Sequence, residues 1–497
     1  MSVSDPGVPT VDWASAEVLL DRAAAMGASH AEIRGMAVDS RILSTSDGEV
    51  EASGRSREQG TAVRVLVGGC WGFAASDSTT STEDLVVRAV EMARASTALV
   101  RTPVTLAPEP VHIGSWWGPC EIDPISVPEA EVREFLLERE THMAAHPVVT
   151  HTTSSFTGVR ESTWLATSAG TRIAQQRCRV AADWTVLGTH DEVLIDEMST
   201  VGPPTSGGWE MIRDGRHWDF TAECAELPDQ LAEKLRAPSV EPGSATVVLD
   251  PTNLWLTIHE SVGHATELDR ALGYEANYAG TSFATPEALG SLRYGSALMH
   301  VTGDRQTPYG LATVGWDDEG VAAQQWDLVR DGVLVGFQLD RSMAGALGLP
   351  RSNGCAYADS PVHAPVQRMP NVSLQPGRED QTTGDLIAGV TDGYYIVGDR
   401  SWSIDMQRYN FQFTGQRFYR IRHGRLAGQV RDLAYQSRTP DFWAGLVAIG
   451  GPRTYLLGGA LNCGKAQPGQ VAAVSHGCPT AVFESVNILN AATVGGL

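Results

Sequence analysis

Residues 245–267 read ATVVLDPTNLWLTIHESVGHATE. The opening ATVVLD has the pattern of a strand, Pro251-Thr252-Asn253 that of a turn, and the stretch from Leu254 to Glu267 that of a helix. Just upstream, LRAPSVEPGS (235–244) sets two prolines and a glycine between a helical pattern and this strand. Such a stretch marks a boundary. The expected fold class is therefore α+β. An N-terminal α/β domain spans 1–240, and a β-rich C-terminal domain spans 241–497 and carries the quoted segment.

Working outward, residues 14–26 have helical spacing at Val18, Leu19 and Ala23, with Gly27 as a stop. Strands are expected over 31–45 and over 62–67, where Val63, Val65 and Val67 alternate. Thr80 and Glu83 have capping-box spacing ahead of LVVRAVEMARA, and a third helix starts near Pro128. Cys178, Val180, Ala182, Trp184 and Val186 fall on one face of a strand, with Arg177, Arg179, Asp183 and Thr185 on the other. The turn feeding that strand is Ser168-Ala169-Gly170-Thr171. In the second half, Asp331-Gly332 and His423-Gly424 each sit between strand-like runs and predict two-residue hairpins.

The chemistry in the quoted segment is a pair of histidines with a glutamate beside the first: His259, Glu260 and His264. In zincin-type sites neutral imidazoles hold the metal, and the glutamate takes a proton from the attacking water. The spacing here is HExxxH, however, not HExxH. At about 100° per residue an i,i+5 pair lies roughly 140° apart on a straight helix, against about 40° for i,i+4. Aiming both rings at one ion requires a π-type bulge or a break near Gly263. The plain alternative is two buried histidines beside a capping glutamate.

A catalytic zinc takes three protein ligands. The best third candidate is Cys463, expected in a tight glycine-flanked loop, Gly458-Gly459-Ala460-Leu461-Asn462-Cys463-Gly464-Lys465. Lys465 beside it is expected to favour the thiolate. His476 and Cys478 are close competitors that composition does not exclude. The same loop imitates a P-loop, with Gly459, Gly464 and Lys465 in G-x-x-x-x-G-K spacing. Ala466 stands where the Mg²⁺-binding Ser or Thr belongs, and Pro468 opposes the following helix. A nucleotide site is rejected.

Composition narrows the partners. With 37 Lys+Arg against 59 Asp+Glu the 497-residue chain carries a formal charge of −22. That disfavours nucleic acid and basic-face membrane binding, and no apolar run is long enough for a membrane span. The polar start MSVSDPGVPT lacks a secretory pattern, and the seven cysteines are scattered without a disulfide framework. A cytoplasmic setting is expected.

At these residues the sequence resembles the TldD/PmbA family of metallopeptidases, in its metal-binding TldD-type branch. The resemblance rests on HESVGHATELD (259–269), VGWDDEG (314–320), DGVLVGFQLDRSMA (331–344) and CGKAQPGQVAAVSHGCPTAVFESVNI near the C-terminus. It implies zinc on His259, His264 and Cys463, with Glu260 as general base. It also implies a peptide or peptide-like amide substrate and a dimer, as a heterodimer with a PmbA/TldE-type paralogue lacking the metal motif. Two other readings stay open: a specialised amide hydrolase, such as a deacylase on a natural-product intermediate, and a non-catalytic scaffold for the paralogue. One departure lies at Gly398-Asp399-Arg400-Ser401-Trp402-Ser403-Ile404-Asp405, where the family has a glycine-rich run. There Arg400 and Trp402 are expected to narrow or recharge a peptide groove. Glu267, one turn beyond His264, is a candidate to orient that ring.

Overall fold

The computed structural model describes residues 11–77, 81–190 and 194–494. Its N-terminal half is built on two long antiparallel ribbons, His30–Ser46 with Glu49–Val67 and Val149–Thr167 with Arg172–His190. His30–Ser46 pairs with Val149–Thr167, which joins the ribbons into one sheet. Cys70–Ser76 extends one edge and Ile113–Trp117 the other. The expected strand over 62–67 is thus the end of a much longer one. From Glu49 to Gln59 most side chains are exposed. With neither face buried, that stretch has no one-sided hydrophobic alternation to reveal it.

Among the described residues, four long helices and the short one Glu210–Arg213 cover this sheet. Trp13–Ala25 and Thr82–Ser96 bury Leu20, Leu85, Val86 and Val90 against Ile33, Val63 and Val65. The helix Thr82–Ser96 lies so close that a Cβ on Gly72 would stand 1.9 Å from the Ala89 carbonyl oxygen. Its cap is Ser81, which accepts the Asp84 N–H at 3.2 Å, one position beyond the expected pair. Thr80 lies outside the described residues. Glu129–Ala144 and Phe220–Arg236 place Leu136, Leu227 and Leu231 against Phe156, Val180 and Trp184. The turn at 168–171 connects the second ribbon as its sequence predicts.

The polar face of Arg172–His190 is partly covered. Arg177 and Arg179 are buried and both pair with Glu161, Arg177 at 2.8 Å. Tyr357 of the C-terminal half donates to the same carboxylate at 2.9 Å. At Arg177 and Arg179 the face is polar because it is an ionic contact between the halves, whereas Asp183 further along the strand is exposed. Burial alone would raise the Glu161 pKa, but Arg177 and Arg179 hold it at about 2. A depressed carboxyl stabilises the fold above its unfolded pKa of about 4.5, and that contribution is lost as pH falls through the folded value. Linkage over about 2.5 pH units is worth ~3 kcal/mol. Urea midpoints of wild type and Glu161→Gln should therefore converge as pH drops from 6 to 3. A gap that stays constant with pH would show that this carboxylate is not the group titrating.

In the C-terminal half, Gly243–Leu249 runs parallel to Asp392–Ile404 and antiparallel to Ala481–Asn490. The sheet continues through Leu433–Arg438 to Asn410–Arg422, which pairs back onto Asp392–Ile404 and closes the ring. Asp331-Gly332 and His423-Gly424 make the expected two-residue turns, each with both residues at positive φ (49° and 75°, 50° and 73°). All seven cysteines are free thiols. Among the described residues no helix is long and apolar enough to cross a membrane.

Candidate metal centre

Asp250 starts the site helix, accepting the Thr252 N–H at 3.0 Å with Pro251 in the first turn. The α-helix Pro251–Ile258 then opens into a π-turn, His259–Gly263, and tightens into a 3₁₀ turn, His264–Thr266. One extra residue in the turn rotates His264 onto the face of His259, so their ring centroids are 4.6 Å apart. Side chains hold this distortion. Ser261 Oγ donates to the Thr257 carbonyl at 2.5 Å, Thr266 Oγ1 to that of Val262 at 2.8 Å, and Gln338 Nε2 to that of Gly263 at 2.5 Å. Gly263 packs closely: a Cβ there would stand 2.6 Å from Met369 Sδ and would make that side chain shift.

Cys463 is on a strand, Leu456–Lys465, not in the expected loop. Its register against Gln470–Cys478 shifts between Ala460 and Cys463, and this irregularity aims the thiol at the histidines. Cys463 Sγ lies 3.7 Å from His264 Nε2, and the donor atoms of His259, His264 and Cys463 all lie within 4.8 Å of one another. Zinc bond lengths of 2.0–2.1 Å to nitrogen and 2.3 Å to sulfur give a tetrahedral N···S edge of about 3.6 Å. The donor set therefore fits such an ion. Burial opposes ionisation of the Cys463 thiol, yet His264 and then Arg368 bring its pKa below the usual value. Lys465 is engaged elsewhere, with Glu267 at 3.0 Å and Asp269 at 2.8 Å.

The histidine tautomers follow from their partners. The Val372 carbonyl can only accept, so His476 donates to it from Nδ1 at 2.9 Å. His476 Nε2 is left to accept from His259 Nδ1 at 2.7 Å. His259 therefore presents Nε2 as a lone pair toward the cluster. His264 donates from Nδ1 to Glu267 at 2.9 Å and also presents Nε2. Lys465, then His264 and Arg270, hold the Glu267 carboxyl well below its usual pKa against the cost of its burial. His476 is thus a support behind His259, outside the donor cluster. Cys478 also lies apart, its thiol 3.6 Å from the Pro251 carbonyl.

Glu260 projects into a cavity of about 620 Å³ shared with the three donors. Arg408 donates to its Oε2 at 2.5 Å. Burial would raise the Glu260 pKa, but His264, His259 and Arg408 carry it below the usual carboxylate value. Ala181 and residues 200–204 of the N-terminal half also line the cavity, so both halves shape the site. Trp402 enters the cavity lining as expected, but Arg400 does not. Its guanidinium turns away to Asp196 at 2.7 Å and Glu197 at 3.2 Å. Asp399 and Trp255 also line the cavity. Arg408 stands 148 residues beyond Glu260 and belongs to no local motif.

Three family profiles match the chain: PmbA/TldA metallopeptidase domain 1 over 31–96, the central domain over 122–237 and the C-terminal domain over 242–490. A metalloprotease of Methanothermobacter thermautotrophicus is 27% identical over 471 residues, covering 94% of this chain and 95% of that one. A zinc metalloprotease TldD homolog of Saccharolobus solfataricus is 26% identical over 223 residues, 45% of this chain and 47% of its own. The crystal structure of TldE from Thermococcus kodakarensis has the same fold, with a TM-score of 0.71 at 15% identity over 95% of this chain and 99% of that one. With the C-terminal profile alone matching half of its residues, this chain belongs to the PmbA/TldD family of metallopeptidases.

Proposed function

We propose that this chain is a zinc-dependent hydrolase of peptide or peptide-like amide bonds, with His259, His264 and Cys463 as ligands and Glu260 as general base. One observation carries the reading: a π-turn that a straight helix has no need of brings two histidines to a cysteine, with a glutamate in the same cavity. The Saccharolobus relative, a zinc metalloprotease TldD homolog, supports zinc.

When bound, the ion supplies Lewis acidity that polarises the scissile carbonyl and makes water more acidic. The residues do the rest. His476 and Glu267 hold the ligand rings in the tautomer that offers Nε2. Arg408 anchors Glu260 Oε2, leaving Oε1 to take the proton of the attacking water. As the C–N bond breaks, Glu260 returns that proton to the departing amine. Trp402 in the lining supports a small or extended substrate rather than a folded one. The TldE neighbour supports pairing with a TldE-type paralogue.

The test is metal analysis of purified protein beside a peptide-hydrolysis assay. About one zinc per chain is expected, and dialysis against a chelator should abolish cleavage until zinc is restored. Cleavage that persists in metal-free protein would refute the reading.

A further inference from the structure

The cavity beside Glu260 holds a second carboxylate that this mechanism does not use. Asp399 follows Gly398, which has φ 70°, and the register of Asp392–Ile404 against Asn410–Arg422 slips between Asp399 and Trp402. That bulge turns both residues into the cavity wall. Trp255 Nε1 donates to Asp399 Oδ1 at 3.0 Å. Among the described residues no Lys, Arg or His pairs with this carboxylate, and Arg400 beside it points at Asp196 and Glu197. Asp399 is half-buried, and in the absence of a cationic partner its partial desolvation pushes the carboxyl up to about 6, against the Trp255 bond. Two indoles flank the position: Trp255, largely buried and stacked on His476, and Trp402, 54% exposed. The exposed indole of Trp402 and a carboxylate without a cationic partner, held by the Trp255 Nε1 bond, together suit an ammonium or guanidinium group.

We infer that Asp399, Trp255 and Trp402 form a subsite for a cationic group of the substrate, either a free α-ammonium or a basic side chain. The inference rests on the peptidase reading and gives it a substrate class. Trp255 lies four residues before His259 on the site helix, a rise of about 6 Å. That places the cation within about two residues of the scissile bond.

The experiment walks lysine through the four positions of N-acetyl-tetraalanine amide, each peptide paired with its norleucine counterpart. It also compares tetraalanine amide with and without the acetyl group. Affinity is read calorimetrically on the Glu260→Gln protein and turnover on wild type. One cationic peptide is expected to bind roughly 10–100-fold tighter than its neutral partner, the range of a desolvated charged hydrogen bond. The acetyl pair winning identifies an α-ammonium, and a lysine position winning identifies a basic side chain. Asp399→Asn in the Glu260→Gln background should bring that ratio close to one, and Trp402→Ala should lower it by about 2–5-fold. Equal affinity within every pair, or a preference that survives Asp399→Asn, overturns the subsite. The affinity arm needs no turnover. Wild type that cleaves none of the peptides therefore counts against the peptidase reading, while the subsite is judged on binding alone.

Discussion

Glu260→Gln is expected to keep about one zinc per chain while lowering kcat roughly 10²–10⁴-fold, with KM little changed. Glutamine has the same shape, and its amide oxygen still accepts from Arg408, which reaches Oε2 at 2.5 Å in wild type. An amide cannot take a proton from water, so the loss falls on the chemical step. The donors are untouched because Glu260 is outside the His259, His264 and Cys463 cluster. Steady-state kinetics on metal-quantified protein check this. Wild-type turnover removes Glu260 from the base role, and loss of the metal shows that it helps hold the ion.

How much of this was readable in the sequence depends on how far each contact reaches along the chain. The distortion at His259–Gly263 was readable because HExxxH on a straight helix is geometrically incompatible with one ion, and Gly263 offered the place to bend. The strand and helix within 245–267 and both two-residue hairpins were readable from local pattern, but Pro251-Thr252-Asn253 form no separate turn: capped by Asp250, they are the first turn of the helix itself. Unlike its buried 62–67 end, the Glu49–Gln59 part of the long strand was not readable, because a stretch with both faces wet has no burial period. Nor was the burial of Arg177 and Arg179. Their partner Glu161 sits on the neighbouring strand, and the residue that completes the contact, Tyr357, comes from the other half of the chain.

At the site the same rule applies. Cys463 was singled out by its glycine-rich surroundings, yet those glycines belong to an irregular strand rather than a loop. Lys465 looked like a neighbour of the thiol in sequence, but Glu267 and Asp269 claim its charge. Arg408, on which the ionisation of Glu260 partly depends, has no local signature at all.

The three candidate third ligands now separate by position, and their variants should separate by metal content. Cys463→Ala is expected to leave almost no zinc after dialysis, because two imidazoles alone provide too few ligands for a tightly held ion. His476→Ala removes the acceptor that fixes the His259 tautomer at 2.7 Å but leaves all three donors in place. Affinity should then fall about 10–100-fold, visible in competition with a zinc indicator but not as loss of stoichiometric binding. Cys478→Ala should bind zinc like wild type, since that thiol faces the Pro251 carbonyl and not the cluster. The order matters more than any one value: Cys463 far above His476, and His476 above Cys478. Greater loss from His476→Ala than from Cys463→Ala would mean that His476 leaves Val372 and ligates the ion directly, with the thiol in the supporting role. The fixed proton direction from His259 through His476 to the Val372 carbonyl argues against that exchange. A histidine that donates from Nδ1 and accepts at Nε2 has no lone pair left to offer an ion.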